Sequence, residues 1–391
     1  MIKKLLKEFS DVFGQDGKKI VFFSPGRVNL IGEHIDYNGG NVFPCAINLG
    51  TYGIGRKRDD SKCRIISLNI KNSEVKEFDL SNVNKQKGEG WIAYEKGVAK
   101  AFIDNGQRLE NGFDMLIYGN IPNGAGLSSS ASVELLMASV LKETNNLDID
   151  MIEMVKLSQK AENEYVGVQS GIMDQFAIGM GKKNHAILLN CDTLEYEYAP
   201  LILNDASIVI GNTNKKRGLA DSKYNERRAS CEEALKVLQD NGVKITHLCD
   251  LSMEEFKKVK SFLTDEIQLK RATHAVTENE RTKMAMKKLN VNDLDGFGKL
   301  MNESHLSLKN DYEVTGIELD TMVELAWKTE GVIGSRMTGA GFGGCTVSIV
   351  KNEFIDNFKK SVGEEYYQKI GKKADFYVVD IGDGSRKIGE Y

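Results

Sequence analysis

Gly124-Ala125-Gly126-Leu127-Ser128-Ser129-Ser130-Ala131-Ser132 stands between a strand-like run, Phe113 to Tyr118, and a helix-like run, Val133 to Leu141. Glycine here lets backbone amides approach a ligand without Cβ obstruction, and the positive end of the following helix points at the same spot. The serines add hydroxyls able to bind phosphate oxygens or a metal. The stretch reads as an anion cradle, most simply for a nucleotide triphosphate. The sequence holds no Gly-x-x-x-x-Gly-Lys-Ser/Thr, so the P-loop solution is excluded.

Around this cradle lie 391 residues, enough for two domains with a cleft between them. A net charge of -4 gives no reason to expect nucleic acid or an anionic membrane as partner. The basic clusters Lys215-Lys216-Arg217 and Arg227-Arg228 are flanked by acids and read as solvated surface. Cysteines 45, 63, 191, 231, 249 and 345 are scattered without a Cys-x-x-Cys pair, which points to a reduced, cytoplasmic protein. No apolar run approaches bilayer length, and the interrupted amphipathic N-terminus is not a signal-peptide core.

Strand-like segments run early (20–23, 42–56, 63–69, 75–78), followed by a helix at 91–103, a strand at 113–118, and helices at 128–144 and 150–165. After about 221 the chain turns to long charged helices, then closes with a strand near 345–350, a helix at 352–370 and a strand at 376–380. This order predicts an α+β fold rather than a regular βαβ array, divided at 1–205 and 206–391. A second glycine-rich stretch, Gly339-Ala340-Gly341-Phe342-Gly343-Gly344, formally matches Gly-x-Gly-x-x-Gly. A dinucleotide fingerprint needs a strand before it and a helix after it; here that order is reversed, and a tight turn packing the second half against the first loop is expected.

The chemistry concentrates elsewhere too. Ser24-Pro25-Gly26-Arg27-Val28-Asn29-Leu30-Ile31-Gly32-Glu33-His34-Ile35-Asp36-Tyr37-Asn38-Gly39-Gly40 packs Glu33, His34 and Asp36 into a glycine-bracketed turn. Carboxylates there suit the vicinal hydroxyls of a sugar. A zinc site would draw on further His or Cys, and no partner cluster is evident. Asp174 is a lone carboxylate in the apolar stretch Gly171-Ile172-Met173-Asp174-Gln175-Phe176-Ala177, costly to bury unless paired or used; a helix cap is its plainer role. Glu162 follows Met151, Val155 and Ser158 on the inner side of its helix, where an acid near the serines would suit magnesium; a solvated flank is the alternative. Tyr224 carries no signal of its own.

Gly26 to Tyr37 resembles the galactokinase signature, Gly124–Ser132 the second motif of the GHMP small-molecule kinases, and Gly339–Gly344 their third. The three occur in the family's order and span nearly the whole chain. Ser130-Ala131 is intact, whereas some galactokinase-like regulators lack that dipeptide. The resemblance implies an N-terminal domain like ribosomal protein S5 domain 2 and a C-terminal ferredoxin-like domain, with ATP and sugar between them. It implies that Glu33, His34, Ile35 and Asp36 form the galactose-binding turn, completed by Gly171 and Tyr224. Asp174 would be the proton acceptor for the anomeric hydroxyl, with Arg27 beside it as stabiliser of the transition state. Gly124, Ala125, Gly126, Leu127, Ser128, Ser129 and Ser130 would wrap the ATP phosphates, and Ser67 would touch the nucleotide. Ser130 and Glu162 would bind Mg2+.

The expected reaction is phosphorylation of galactose at C1 to α-galactose 1-phosphate, by transfer that relies on alignment and charge neutralisation. The expected partners are galactose and ATP alone, acting on a monomer. Alternatives are an N-acetylgalactosamine kinase or other sugar-1-kinase, a non-catalytic galactose- and ATP-binding regulator, and a mevalonate diphosphate decarboxylase, where Glu33-His34-x-Asp36 would be out of place.

Overall fold

The computed structural model describes residues 1–122, 126–215 and 220–391, with only the backbone described at 220–222. The chain runs α1 (Ile2–Phe13), β1 (Ile20–Asn29), β2 (Asn41–Val42), β3 (Pro44–Lys57), β4 (Lys62–Ser67), β5 (Lys76–Asp79), α2 (Ile92–Asp104), β6 (Phe113–Gly119), α3 (Ser129–Asn145), α4 (Met151–Lys160), α5 (Met173–Met180), β7 (His185–Asn190) and β8 (Tyr196–Pro200). It continues with β9 (Ala206–Asn212), α6 (Ala220–Asp240), α7 (Met253–Val259), α8 (Glu266–Asn290), α9 (Leu294–Ser307), α10 (Ile317–Lys328), β10 (Val332–Thr338), β11 (Cys345–Lys351), α11 (Ile355–Ile370), β12 (Asp375–Val379) and β13 (Arg386–Glu390). The fold is α+β, as the order of strands and helices in the sequence predicts.

Six strands form the first sheet in the order β13-β1-β3-β6-β4-β5. Pleating sends alternate side chains to opposite faces. On β1, Val21 accordingly packs with Leu5, Phe9 and Phe13 of α1, while Phe22 joins the core beneath α2, α3, α4 and α5. The second sheet, β10-β11-β9-β12, repeats the device. Val209 faces Met322, Phe358 and Tyr366 of α10 and α11; Ile208 and Ile210 face inward.

That inward face meets the first half of the chain. Ile208, Ile210, Val347 and Phe297 share one core with Val28, Leu30, Ile31 and Phe43. The segment after β1 is thus wedged between both halves, which fixes its polar residues at their junction. The last strand, β13, returns to pair antiparallel with β1. Among the described residues no helix is long and apolar enough to cross a membrane.

Candidate active site

The end of β1 is bent where Arg27 leaves it. Pairing with β3 shifts register between Pro25 and Arg27, and such a bulge re-aims a side chain. Gly26 is required at the bend, because a Cβ there would stand 2.7 Å from the Leu127 carbonyl oxygen. Arg27 N–H donates to that same oxygen (3.2 Å), joining the strand to the serine loop. Its guanidinium donates through Nε and Nη2 to Asp174 Oδ1, both at 2.8 Å, and through Nη1 to the Gly126 carbonyl at 2.7 Å.

Asp174 sits in the first turn of α5 and takes its second contact from the Ser128 hydroxyl, which donates to Oδ2. Ser128 precedes α3 in a left-handed conformation, φ 60° and ψ 52°, and makes no side-chain cap to that helix. A serine at a helix start ordinarily caps it. Here the hydroxyl serves Asp174, and the first amides of α3 remain available to an anion.

The sugar-directed turn is clamped from the second half of the chain. Arg336 on β10 donates from Nη2 to Glu33 Oε2 (2.7 Å) and from Nη1 to the Asn29 carbonyl (3.0 Å), and Asn29 Nδ2 donates to Glu33 Oε1 (3.1 Å). Arg336 and Glu33 are both essentially inaccessible to solvent. Glu278 on α8 accepts from Gly32 N–H (2.9 Å) through Oε1 and from Arg281 through Oε2 (2.8 Å). Burial opposes its charge, yet Arg281, His274, Arg336 and the Ser304 hydroxyl outweigh it and hold the carboxyl down at about 2.

His34 adopts φ 61° and is buried. Its Nε2 lies 3.3 Å from the Ala340 carbonyl and can only donate there, so Nδ1 accepts from the Tyr37 hydroxyl at 2.8 Å. Tyr37 continues to the Tyr312 hydroxyl at 2.7 Å. Burial above all, with His274 nearby, pushes the His34 imidazole down to about 3, so it works as a neutral ring. The Tyr224 ring lies beside it at a tilt of 43°, ring centroids 5.6 Å apart. Asp36 is driven the other way: burial, then the charges of Asp174 and Glu33, raise its carboxyl to about 6.

These groups converge on one cavity of about 580 Å³ lined by Arg27, Glu33, His34, Asp36, Gly126, Leu127, Ser128, Ser129, Ser130, Glu162, Gly171, Asp174 and Tyr224, with Gly339 and Ala340 closing one side. A second cavity of about 240 Å³ adjoins it, sharing Ile121, Ser129 and Ser130, and is lined by Ser67, Trp91, Tyr94 and Glu95. Ile35 stands apart. Its side chain is fully buried among Cys231, Leu248 and Tyr312 and does not line either cavity. Gly124 and Ala125 lie outside the described residues.

Glu162 occupies a widened helical segment, Ala161–Val166, that continues α4. Its Oε2 accepts from Ser170 Oγ (2.5 Å) and Gln175 Nε2 (2.8 Å), while no hydrogen bond among the described residues reaches Oε1. The same Gln175 amide donates to Glu134 Oε2 at 2.9 Å. Sequence reasoning missed Arg336, His274, Glu278 and Gln175, as well as the wall formed by Trp91, Tyr94 and Glu95. Only the aromatic pair three residues apart at a helix start offered any signal for it.

The galactokinase galactose-binding signature matches residues 7–57, the GHMP kinase N-terminal domain 93–182 and the GHMP kinase C-terminal domain 285–368. The chain is 60% identical over 388 residues to a galactokinase of Fusobacterium nucleatum subsp. nucleatum, covering 99% of this chain and 100% of that protein. It is 53% identical over 388 residues to a galactokinase of Bacillus subtilis, covering 99% of each. The crystal structure of Lactococcus lactis galactokinase complexed with galactose superposes with a TM-score of 0.95 at 51% identity, over 99% of this chain and 100% of that one. The mevalonate kinase of Methanococcus jannaschii, at 19% identity and a TM-score of 0.66 over 94% of this chain and 100% of that one, shares the fold. The chain belongs to the galactokinase family of the GHMP kinases.

Proposed function

We propose that this chain transfers the γ-phosphoryl group of ATP to the anomeric C1 hydroxyl of D-galactose, giving α-D-galactose 1-phosphate and opening galactose catabolism. The observation that carries this reading is the position of Asp174. It is held by Arg27 and Ser128 on the wall of a cavity that has Glu33, His34 and Asp36 on one side and the uncapped start of α3 on the other.

Glu33, Asp36 and Tyr224 accept and orient the sugar hydroxyls, with neutral His34 held in one tautomer by Ala340 and Tyr37. The Gly171 backbone lies against the sugar. Gly124 to Ser130 and the first amides of α3 cradle the phosphates, and Ser67 faces the nucleoside from the smaller cavity. Asp174 accepts the C1 proton as attack proceeds, because a carboxylate is too weak a base to remove it beforehand. Arg27 offsets negative charge on the transferring group.

Magnesium fits the residues present. Ser130 and Glu162 line the same cavity, and the hydroxyl and the carboxylate oxygen not engaged by Gln175 are the hard donors this ion takes in small number alongside phosphates and water. When bound, Mg2+ neutralises charge on the triphosphate. We place the active unit in one chain, since the assigned residues that the structure describes, Ile35 apart, line one pair of adjoining cavities, and the domain division near 205, where β9 begins the second sheet. The buried thiols of Cys45, Cys63, Cys231 and Cys249 fit a reducing cytoplasm.

The test is ADP release with a panel of sugars, with and without magnesium. Galactose turnover that needs magnesium, with little turnover of glucose or N-acetylgalactosamine, is expected. Equal turnover of these sugars, or none of galactose, overturns the reading.

A further inference from the structure

The smaller cavity has one wall that packing does not explain. Glu95 lies in the first turn of α2, is 1% exposed, and neither of its carboxyl oxygens has a hydrogen-bond partner among the described residues. Leaving such a group unsatisfied in the interior is costly, and a hydrocarbon side chain would fit the same place without that cost. Among the described residues no cation relieves it. The adjacent Lys96 is itself buried and already paired with Glu89, beside the Tyr165 hydroxyl. The chain thus keeps a destabilising acid at the wall of a cavity whose other lining includes Trp91, Tyr94 and Ile70, flat or apolar surfaces suited to an aromatic ring. That cavity opens onto Ser129 and Ser130, so a ring inside it would be continuous with phosphates at the start of α3.

We propose that Glu95 reads the base of the nucleotide, pairing its two carboxyl oxygens with the amino group and adjacent ring nitrogen of a 6-aminopurine. The inference rests on the reading of the larger cavity as a phosphoryl-transfer site and goes beyond it by naming a residue that selects the donor. The chemistry matches in both directions. A carboxylic acid offers one donor and one acceptor side by side, and the edge of adenine offers an acceptor and a donor. Burial raises the Glu95 carboxyl to about 8, so at neutral pH it is chiefly in that donor-and-acceptor form. Apolar walls alone tolerate any flat ring. A buried pair of this kind rejects a base lacking the amino group, because its own polar atoms are then left unpaired.

The experiment measures binding of ATP and of purine riboside triphosphate, which lacks the 6-amino group, by calorimetry with Trp91 fluorescence as a second signal. Wild type, Glu95→Gln and Glu95→Leu are compared, without sugar. Wild type should bind ATP at least ~10-fold more tightly than the analogue. Glu95→Gln, which keeps a donor beside an acceptor, should preserve that ratio. Glu95→Leu should bring it to about 1 while raising the melting temperature, since the unpaired acid is gone. A residue retained only for packing would alter melting and leave the ratio alone. Equal affinities in wild type, or an unchanged ratio in Glu95→Leu, overturn the proposal; should the Leu variant not fold, the wild-type and Gln ratios still decide it. Failure of the parent reading is separately visible, as wild type that binds ATP with the expected preference but phosphorylates no galactose.

Discussion

Gly171 lies so close to Asp36 that a Cβ at position 171 would stand 2.2 Å from Asp36 Oδ2 and 3.1 Å from its Cγ. The two residues are 135 positions apart, and the missing side chain of one sets the aim of the other's carboxylate. Gly171 has no left-handed backbone conformation to explain its identity, so the need for glycine here is contact alone.

Gly171→Ala should therefore leave the fold intact and turn Asp36 away from the sugar. The expected result is a rise in galactose KM of ~10-fold or more, equivalent to ~1.4 kcal/mol, with ATP KM little changed. Initial-rate kinetics varying each substrate in turn check this; parallel rises in both constants would argue for a general distortion.

Asp174→Asn keeps an oxygen for Arg27 and offers an amide to Ser128 Oγ, so folding and both ligands should survive. What is lost is the proton acceptor, and kcat should fall by ~10²–10⁴-fold. Calorimetry of sugar and nucleotide binding beside single-turnover rates separates the two effects. Substantial turnover would mean that positioning alone carries the reaction.

Asp36 predicts a pH effect whose sign follows from its raised carboxyl. The folded protein holds this proton up to about pH 6, above the ordinary 3.8. Its contribution to stability is thus full below 3.8 and lost as pH rises through about 6. Sugar binding has the opposite slope, because a hydroxyl donor favours the ionised form. Galactose affinity should drop as pH falls below about 6, approaching ~10-fold per unit. His34, at about 3, stays neutral throughout that window. Asp36→Asn should flatten the profile measured by calorimetry between pH 5 and 8, each limit set at roughly one to two units from the transition.

Arg336→Met should be among the most damaging changes outside the cavity. It strands Glu33 as a buried charge with Asn29 as its remaining partner. A loss of ~3–5 kcal/mol is expected in urea unfolding. Adding Glu33→Gln should recover part of it, and strict additivity of the two changes would show that the pair is not coupled.

The sequence disclosed what is local. The 26–40 turn and the serine cradle were legible because their chemistry sits within a few consecutive residues, and the long helices after about 221 because the chain changes there to long charged runs. Arg336 was invisible for the opposite reason: a single arginine in a strand has no spacing to mark it, and its partner is 303 positions away. His274 and Glu278 read as ordinary positions on a charged helix. Only the wedge of the 26–40 turn between the two halves makes them its clamps, His274 by donating from Nε2 to the Glu33 carbonyl (3.0 Å) and Glu278 by accepting from Gly32 N–H. Ile35, carried along with its neighbours in the signature, points into the helical core, since a turn of this kind sends successive side chains to different sides. In sequence Glu95 is one more acid near a helix start, and only its burial at the cavity wall sets it apart.

The pairing of β13 with β1 has a consequence for biosynthesis. Residues 20–23 emerge from the ribosome long before their neighbours on one edge, 386–390, for Phe23 and its partner Arg386 are 363 positions apart. Until then the first sheet presents Ile20 to Phe23 as an open margin, the kind of surface that recruits strands from other chains. Synthesis of β13 is what seals it, so a nascent chain stalled just before Arg386 would carry every group of the cavity and still lack the strand that covers this margin of its first sheet.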